Sequence, residues 1–548
     1  MYPGRHAVEH PDRPAIVMAP GGEVLTYADL DARANRLAAL LRAEGLAPGE
    51  HIALFMENHL EMIVAMSAAE RSGLFYTPVN SFLSAAEAAY IIDDSQSRLV
   101  ITTVAKAAVA QQFPELCPRV SRWLMVDAEP GSPALTGPYE SYRAAVAEFG
   151  PEPGEHERLG TPMFYSSGTT GKPKAIKRLL PDAHPGEILA IEDFGRTLFH
   201  LREGMRFLSP APLYHSGPQS TVAISLRLGA TVVVMEKFDA ELYLELIEKH
   251  RITHSMVVPT MFSRMLKLPA DKRARDLSSL EVVVHGAAPC PVAVKEAMLD
   301  WWGPVVYEYY GGTEANGMCG CTPEEWLAHK GTVGRPFMGE PVILDEDGNQ
   351  CPPGVAGTIW FRGAGSGFEY FNDPGKTAEA KDATGTMSKI GDIGYLDEDG
   401  FLYLTDRQAF VIISGGVNIY PQEIENLLVT HPKVMDAAVF GVPDEDFGEA
   451  VKAVIQAVDP AVAGVELAAE LAAFCRGNLA KFKCPKSFDF IDEMPRLPTG
   501  KLYKKPLRDA YWQTAESSAA AGRPPHPPTV PPTERHPGAG AADRTPAL

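Results

Sequence analysis

A chain of 548 residues with 45% hydrophobic and 22% charged side chains has ordinary globular composition, long enough for a large core and more than one domain. Its formal net charge of −20 argues against nonspecific nucleic-acid or anionic-membrane binding, since long-range repulsion opposes both, so any polyanionic ligand needs a local site. Seven cysteines, an odd number without C-x-x-C spacing, read as reduced structural thiols and favour the cytoplasm; Cys319 and Cys321 are close together, but a lone C-x-C is too little for a metal site.

The N-terminus has no basic segment followed by an apolar stretch, so no secretory signal is expected. No run approaches the roughly 18 uncharged apolar residues of a transmembrane segment. Thr26-Tyr27-Ala28-Asp29 has capping-box form, and Leu30, Ala34, Leu37 and Leu41 then recur at helical spacing up to Gly45, which predicts an amphipathic helix. Short apolar, β-branched runs follow at 51–56, 98–104, 231–235 and 281–284, with a helical stretch at 240–250 among them. This alternation predicts an α/β fold with largely buried sheets.

From about Gly391 the texture changes. Asp397-Glu398-Asp399-Gly400 is a turn signal, Asp406-Arg407 leads into VIISGGVNIYPQEIE, and Pro421 opens a helix. Strands at 434–440 and 450–455 and an Ala/Leu helix at 465–475 complete a small α+β domain of ordinary size. From Thr514 the chain is too rich in Pro, Ala and Gly to bury a core and reads as a disordered tail. The expected division is therefore 1–405, 406–512 and 513–548, with no internal repeat.

Residues 165–178 read YSSGTTGKPKAIKR, a concentration of hydroxyls, flexible amides and cations suited to a polyanion. The Walker P-loop is excluded, because the residue five before Gly171 is Ser166 and the residue after Lys172 is Pro173, where that motif needs Gly and Ser or Thr. The stretch instead matches [YF]-[ST]-S-G-T-T-G-x-P-K, and here the sequence resembles the adenylate-forming (AMP-binding) superfamily, on its acyl-CoA synthetase branch. Further matches follow in order: His285-Gly286-Ala287-Ala288-Pro289, Tyr310-Gly311-Gly312-Thr313-Glu314, Gly391-Asp392, Asp406-Arg407, Ser414-Gly415-Gly416-Val417-Asn418-Ile419 and 495–502, PRLPTGKL. They span about 11–505, nearly all of the ordered chain.

The resemblance implies a large multi-sheet N-terminal domain, a small mobile C-terminal lid, and an active site between them using ATP, Mg²⁺ and CoA. It places Ser166, Ser167, Gly168, Thr169, Thr170, Gly171 and Lys174 in the phosphate loop, with Thr169 among the catalytic residues. Gly286, Ala287 and Ala288 form the adenine turn, where small residues let backbone approach a flat base. Tyr310 packs on adenine, Thr313 contacts the α-phosphate, Glu314 holds magnesium, Asp392 takes the ribose hydroxyls and Arg407 contacts ribose or phosphate. Lys501 lies over the α-phosphate and the substrate carboxylate during adenylation, because a positioned cation stabilises two anions brought together. Ser414, Gly415 and Gly416 line the thiol tunnel of the second half-reaction. His215, in Leu213-Tyr214-His215-Ser216-Gly217-Pro218, is the candidate gate beside the acyl carboxylate.

From the residues alone, plain alternatives stay open: a strand-to-helix turn at 286–288, surface charges at Asp392 and Arg407, a β-turn at 415–416 and a packed core histidine at 215. One departure is Ala409, where the family commonly has Asp or Lys at its hinge; it puts a hinge-specific polar contact in doubt. Gly311 and Gly312 point to room for a bulky or long acyl chain, and no charge stands ready to select a substrate amine. The expected activity is an acid–CoA ligase acting on a fatty or cyclic apolar acid through an acyl-adenylate. Transfer to a carrier protein, luciferase-like chemistry and a nonenzymatic nucleotide sensor are the alternatives. Expected partners are the acid, ATP and CoA, with no nucleic acid, and the sequence leaves a homodimer open.

Overall fold

The computed structural model describes residues 2–166, 173–363, 367–407, 410–414, 417–444, 447–496, 502 and 504–521, with backbone alone at 190–191, 194, 406–407 and 513–521. The chain forms two compact units, one carried by Met1–Gln408, the other by Ala409–Leu497 and the terminal helix Lys504–Ala521. Among the described residues no helix is long and apolar enough to cross a membrane.

The first unit rests on two sheets built largely from parallel strands. One runs Tyr139–Ser141, Arg122–Val126, Leu99–Thr103, His51–Phe55, Phe75–Val79, Thr161–Pro162, all parallel. The other has a parallel centre, ordered Val306–Gly311, Val282–His285, His254–Val257, Arg206–Ser209, Thr231–Met235, Pro14–Ala19, with antiparallel strands Met318–Cys321, Arg335–Met338 and Val24–Thr26 at its ends. The runs at 51–56, 98–104, 231–235 and 281–284 are strands of these sheets. Buried on both faces, they are mostly apolar and buried along nearly their whole length rather than alternating.

Helix Tyr27–Ala43 opens with the expected capping box, Thr26 and Asp29 satisfying each other's amides, and buries Leu30, Ala34, Leu37 and Leu41. Beside it, helix Leu60–Arg71 is buried on every face, because one continuous core joins it to Ile52, Leu54 and Leu124 of the first sheet and to Ile16, Val232 and Val234 of the second. Its charged residues are buried with it and paired, Glu61 with Arg33, Glu70 with the Tyr76 hydroxyl and Arg71 with Asp31.

Two smaller antiparallel sheets complete this unit: Phe164–Ser166, Lys174–Arg178, Phe368–Tyr370, and Glu340–Leu344, Gly357–Arg362, Met387–Leu396, Leu402–Arg407. Asp406 and Arg407 thus end a strand of the large unit. In the second unit, Ile412–Ser414 and Val417–Ile419 pair antiparallel, Val434–Asp444 pairs with Gly448–Ala457, and helices Pro421–Leu428 and Val465–Asn478 add Ile424, Leu428, Leu467 and Leu471 to its core. The fold is mixed α/β with several sheets and a small C-terminal domain. The last helix extends to Ala521, past the point where composition alone starts a disordered tail; the alanines at 519–521 carry high helix propensity.

Candidate active site

The loop 167–172 lies outside the described residues, and with it Ser167, Gly168, Thr169, Thr170 and Gly171. Ser166 and Lys174, on either side of it, are register partners across an antiparallel pair. Tyr165 anchors that pair by donating to Asp94 Oδ2 at 2.7 Å.

Along strand Lys174–Arg178 alternate residues share a face, and Ile176 stands opposite Tyr370. Lys174 Nζ lies 4.6 Å above the Tyr370 ring, and the Tyr370 hydroxyl donates to Glu314 Oε1 at 2.9 Å. Burial, with the neighbouring Lys376, holds the Lys174 ammonium below the usual lysine range, while Glu314 opposes the shift. Arg178, four residues along the same face, donates to the Thr313 carbonyl at 2.5 Å. Burial depresses its guanidinium too, against the pull of Glu314. One strand therefore delivers two partly desolvated cations to the Thr313-Glu314 turn, which suits a phosphate chain. Arg178 and Tyr370 were not singled out from sequence; the period-2 spacing of Lys174 and Arg178 was the available signal.

Thr313 is also reached from the opposite side, its hydroxyl standing 3.1 Å from that of Ser216. Ser216 opens helix Ser216–Arg227, and His215 caps it in extended conformation with its ring 4.4 Å from Tyr214. The segment before it is fixed by buried Asn58, which donates to the carbonyls of Ala211 and Met235 at 3.1 and 2.8 Å and accepts from the Leu213 amide at 2.8 Å. Ser216, which follows His215, is thus brought beside Thr313 by a fastening that local sequence does not reveal.

The turn at 286–288 leaves strand Val282–His285, and Ala287 adopts a left-handed φ of 67°. Gly286 is obligatory there: a Cβ would meet Tyr309 Cε1 at 2.5 Å and the Tyr309 carbonyl at 2.8 Å. Beneath it lies a buried cluster. Glu308, register partner of His285, accepts from Lys295 Nζ at 2.7 Å and stands 3.4 Å from His285 Nε2. Lys295 is fully buried over Trp326 at 4.7 Å. Burial keeps His285 well below the usual imidazole range, and burial raises Glu308 against the opposing Lys295.

Tyr310 donates to Asp392 Oδ2 at 2.8 Å, both residues being buried. Asp392 pairs in register with Arg407, whose side chain is outside the described set. Gly311 and Gly312 do not leave open space: a Cβ on Gly312 would stand 2.8 Å from Ile390 Cδ1, and one on Gly311 3.0 Å from Met318 Cγ. The Glu314 carboxylate and the Thr313 and Ser216 hydroxyls are hard oxygen donors. They fit Mg²⁺, which takes few protein ligands when phosphates supply the rest. Among the described residues no group of three His, Cys, Asp or Glu side chains gathers as an all-protein metal site.

In the second unit Ser414 pairs with Val417, while Gly415 and Gly416, like Ala409 and Lys501, lie outside the described residues. Ser166, Lys174, His215, Gly286, Ala287, Ala288, Tyr310, Thr313, Glu314 and Asp392 all belong to the first unit, Ser414 to the second.

The AMP-binding enzyme family model matches residues 4–371, and the AMP-binding enzyme C-terminal domain matches 423–501. A 2-succinylbenzoate–CoA ligase of Bacillus licheniformis is 32% identical over 502 residues, 91% of this chain and 97% of that protein. The fatty acid–[acyl-carrier-protein] ligase ScoC of Streptomyces coeruleorubidus is 32% identical over 519 residues, 92% and 95% of the two chains. Among solved structures, the amide bond synthetase McbA of Marinactinospora thermotolerans superposes with a TM-score of 0.76 at 28% identity, covering 92% of this chain and 99% of its own.

Proposed function

Because the chain belongs to the AMP-binding enzyme family, as an AMP-forming acid–thiol ligase, we propose that it activates a fatty or cyclic apolar acid with ATP and passes the acyl group to CoA. The carrying observation is the convergence on Thr313-Glu314 of Lys174 and Arg178 from one strand, Ser216 from a helix start and Tyr370 from a third element. Three separate chain segments turn polar or cationic groups toward one short turn.

In this reading Lys174, with Ser166 and the loop residues Ser167, Gly168, Thr169, Thr170 and Gly171, takes the phosphates, and Thr313 the α-phosphate. Gly286, Ala287, Ala288 and Tyr310 take adenine, and Asp392 and Arg407 the ribose. Glu314 holds Mg²⁺, which when bound neutralises charge on the phosphates. His215 orients the acid, and Lys501 stabilises charge as the carboxylate attacks. Ser414, Gly415 and Gly416 admit the thiol. The cytoplasm, which keeps unpaired thiols reduced, is the compartment that fits seven free cysteines.

A second reading, transfer to a carrier protein or an amine, is favoured by the names of two relatives, a carrier-protein ligase and an amide bond synthetase. The test is incubation of the full-length protein with ATP, Mg²⁺ and a panel of fatty, aryl and alicyclic acids, with and without CoA, scoring pyrophosphate and acyl-CoA by mass. Thioester product is the expected outcome. Acid-dependent pyrophosphate with no CoA product supports the second reading, and ATP binding without turnover would leave only a nucleotide sensor.

A further inference from the structure

The turn that carries Thr313 and Glu314 does not hold its shape by itself. It closes with the Ala315 amide donating to the Gly312 carbonyl at 3.0 Å, and Ala315 then adopts a left-handed φ of 51°, a conformation unfavourable for a residue with a Cβ. Such backbone persists only where the surroundings over-determine it. The fastenings are side chains: Tyr370 donates to Glu314 Oε1, Asn316 donates to the Ser388 carbonyl at 3.2 Å, and Arg178 donates at 2.5 Å to the Thr313 carbonyl, in the peptide bond that joins Thr313 to Glu314. Of these donors only Arg178 is a cation.

Arg178 is itself held by buried polar groups. Burial depresses its guanidinium, and Glu314 and Tyr76 oppose the shift. Tyr76, on strand Phe75–Val79, is fully buried; its hydroxyl accepts from Gln219 Nε2 at 2.5 Å and donates to Glu70 Oε1 at 3.0 Å. Gln219 lies on helix Ser216–Arg227, its amide donating to the His215 carbonyl at 3.1 Å, and the Ser216 hydroxyl stands 3.1 Å from that of Thr313. The path closes on itself: Arg178 to Thr313, Thr313 to Ser216, along the helix to Gln219, across to Tyr76, and from Tyr76 by electrostatic interaction back to Arg178. A guanidinium suits this place, because its charge-assisted hydrogen bond is stronger than a neutral one and its planar fork has a fixed direction. The proposed nucleotide contacts use the Thr313 hydroxyl and the Glu314 carboxylate, whereas Arg178 holds the main chain between them.

We propose that Arg178 is a positioning residue: it fixes the main chain of the Thr313-Glu314 turn so that the threonine hydroxyl and the carboxylate are presented to ATP and Mg²⁺, and it leaves the phosphates to Lys174. This rests on the ligase reading above and adds to it a residue beyond the matched signature, which ends at Lys174. Because the role is exercised through Glu314, the effect of losing it depends on the metal.

The test is calorimetric titration of the full-length protein with ATP, once with Mg²⁺ and once with EDTA, for the wild type, Arg178→Met and Arg178→Lys, alongside melting temperatures and the KM values for ATP and for the acid by pyrophosphate release. Arg178→Met is expected to weaken ATP binding about tenfold with Mg²⁺, the scale of one hydrogen bond to a charged group, and to change it little in EDTA. KM for ATP should rise with it, and KM for the acid should stay where it is. Arg178→Lys keeps the charge and is expected to recover part of the loss. Should the methionine variant lack a melting transition, the lysine variant decides, with a smaller loss expected in Mg²⁺ and none in EDTA. An equal loss with and without the metal would mean that the guanidinium binds phosphate directly, a rise in the acid's KM alone that it belongs to the acid, and unchanged affinity in a folded variant that it only stabilises the fold. Each of these overturns the inference while leaving the ligase reading intact. Absence of pyrophosphate with every acid removes the ligase reading itself, and the inference with it.

Discussion

Tyr310 and Asp392 form a buried hydrogen bond at the proposed nucleotide site. The carboxylate is buried, and the phenol that donates to it at 2.8 Å comes from the strand that also carries the Thr313-Glu314 turn. Hydrogen bonds to charged groups are worth about 1.5–3 kcal/mol, and removing one partner exposes the desolvation cost of the other. Tyr310→Phe is accordingly expected to lower the melting temperature and weaken ATP binding several-fold in calorimetric titration; full-strength binding would detach this pair from the nucleotide site. Gly286 is constrained differently, by a Cβ clash with backbone as well as ring. Gly286→Ala should cost about 1–3 kcal/mol by overpacking and raise KM for ATP, measured by pyrophosphate release at saturating acid. Both residues were legible in the sequence as motif positions. Their partners were not, because the 82 residues separating Tyr310 from Asp392 are closed only by tertiary contact.

At the scale of elements, strand Val282–His285, strand Val306–Gly311 and helix Val292–Trp302 are fastened by the buried Lys295–Glu308 pair with His285 beside it. Breaking such a pair strands a buried charge at about 3–5 kcal/mol, whereas replacing both partners with apolar groups of similar volume is often neutral. Lys295→Met should therefore destabilise the protein strongly, and adding Glu308→Leu should recover much of the loss, read as melting temperatures of the two variants. A double variant worse than the single would mean that the cluster is not held by this pair. Nothing in the local sequence marked these residues, since a Lys on an amphipathic helix ordinarily faces water. The hinge proposed at Ala409, outside the described residues, belongs to this scale too. Proline fixes φ, so Ala409→Pro is expected to spare pyrophosphate release and cripple thioester formation. Equal loss of both half-reactions would count against a hinge at that position.

For the whole molecule, buried histidines in the large unit set an acid limit. His51 and His254 are each held down to about 4 from an ordinary value near 6.5, by burial first, with Lys177 adding at His51 and Glu281 opposing at His254. A base with a depressed folded pKa leaves stability intact above its unfolded value and loses it as pH falls, because only the unfolded chain takes the proton. Between pH 6.5 and 4 each such histidine should cost up to about 1.4 kcal/mol per pH unit. The melting temperature is thus expected to fall steadily over that window, and His254→Gln should flatten the slope. A flat profile in the wild type would show that these side chains are solvated. With two units the transition need not be two-state, so the melting temperature of the larger unit is the quantity to follow.

What the sequence determined by itself was local: the Thr26 capping box, the buried apolar strands, and the Ser/Gly/Lys and Tyr-Gly-Gly-Thr-Glu motifs. Each depends on residues only a few positions apart. Only tertiary structure decided which cations and hydroxyls meet at Thr313-Glu314, which carboxylate Tyr310 holds, and that Met318 and Ile390 fill the space that Gly311 and Gly312 promised. The physical reason is that parallel sheets are assembled from strands distant in the chain, so their neighbours are chosen by packing and register, which local sequence does not encode.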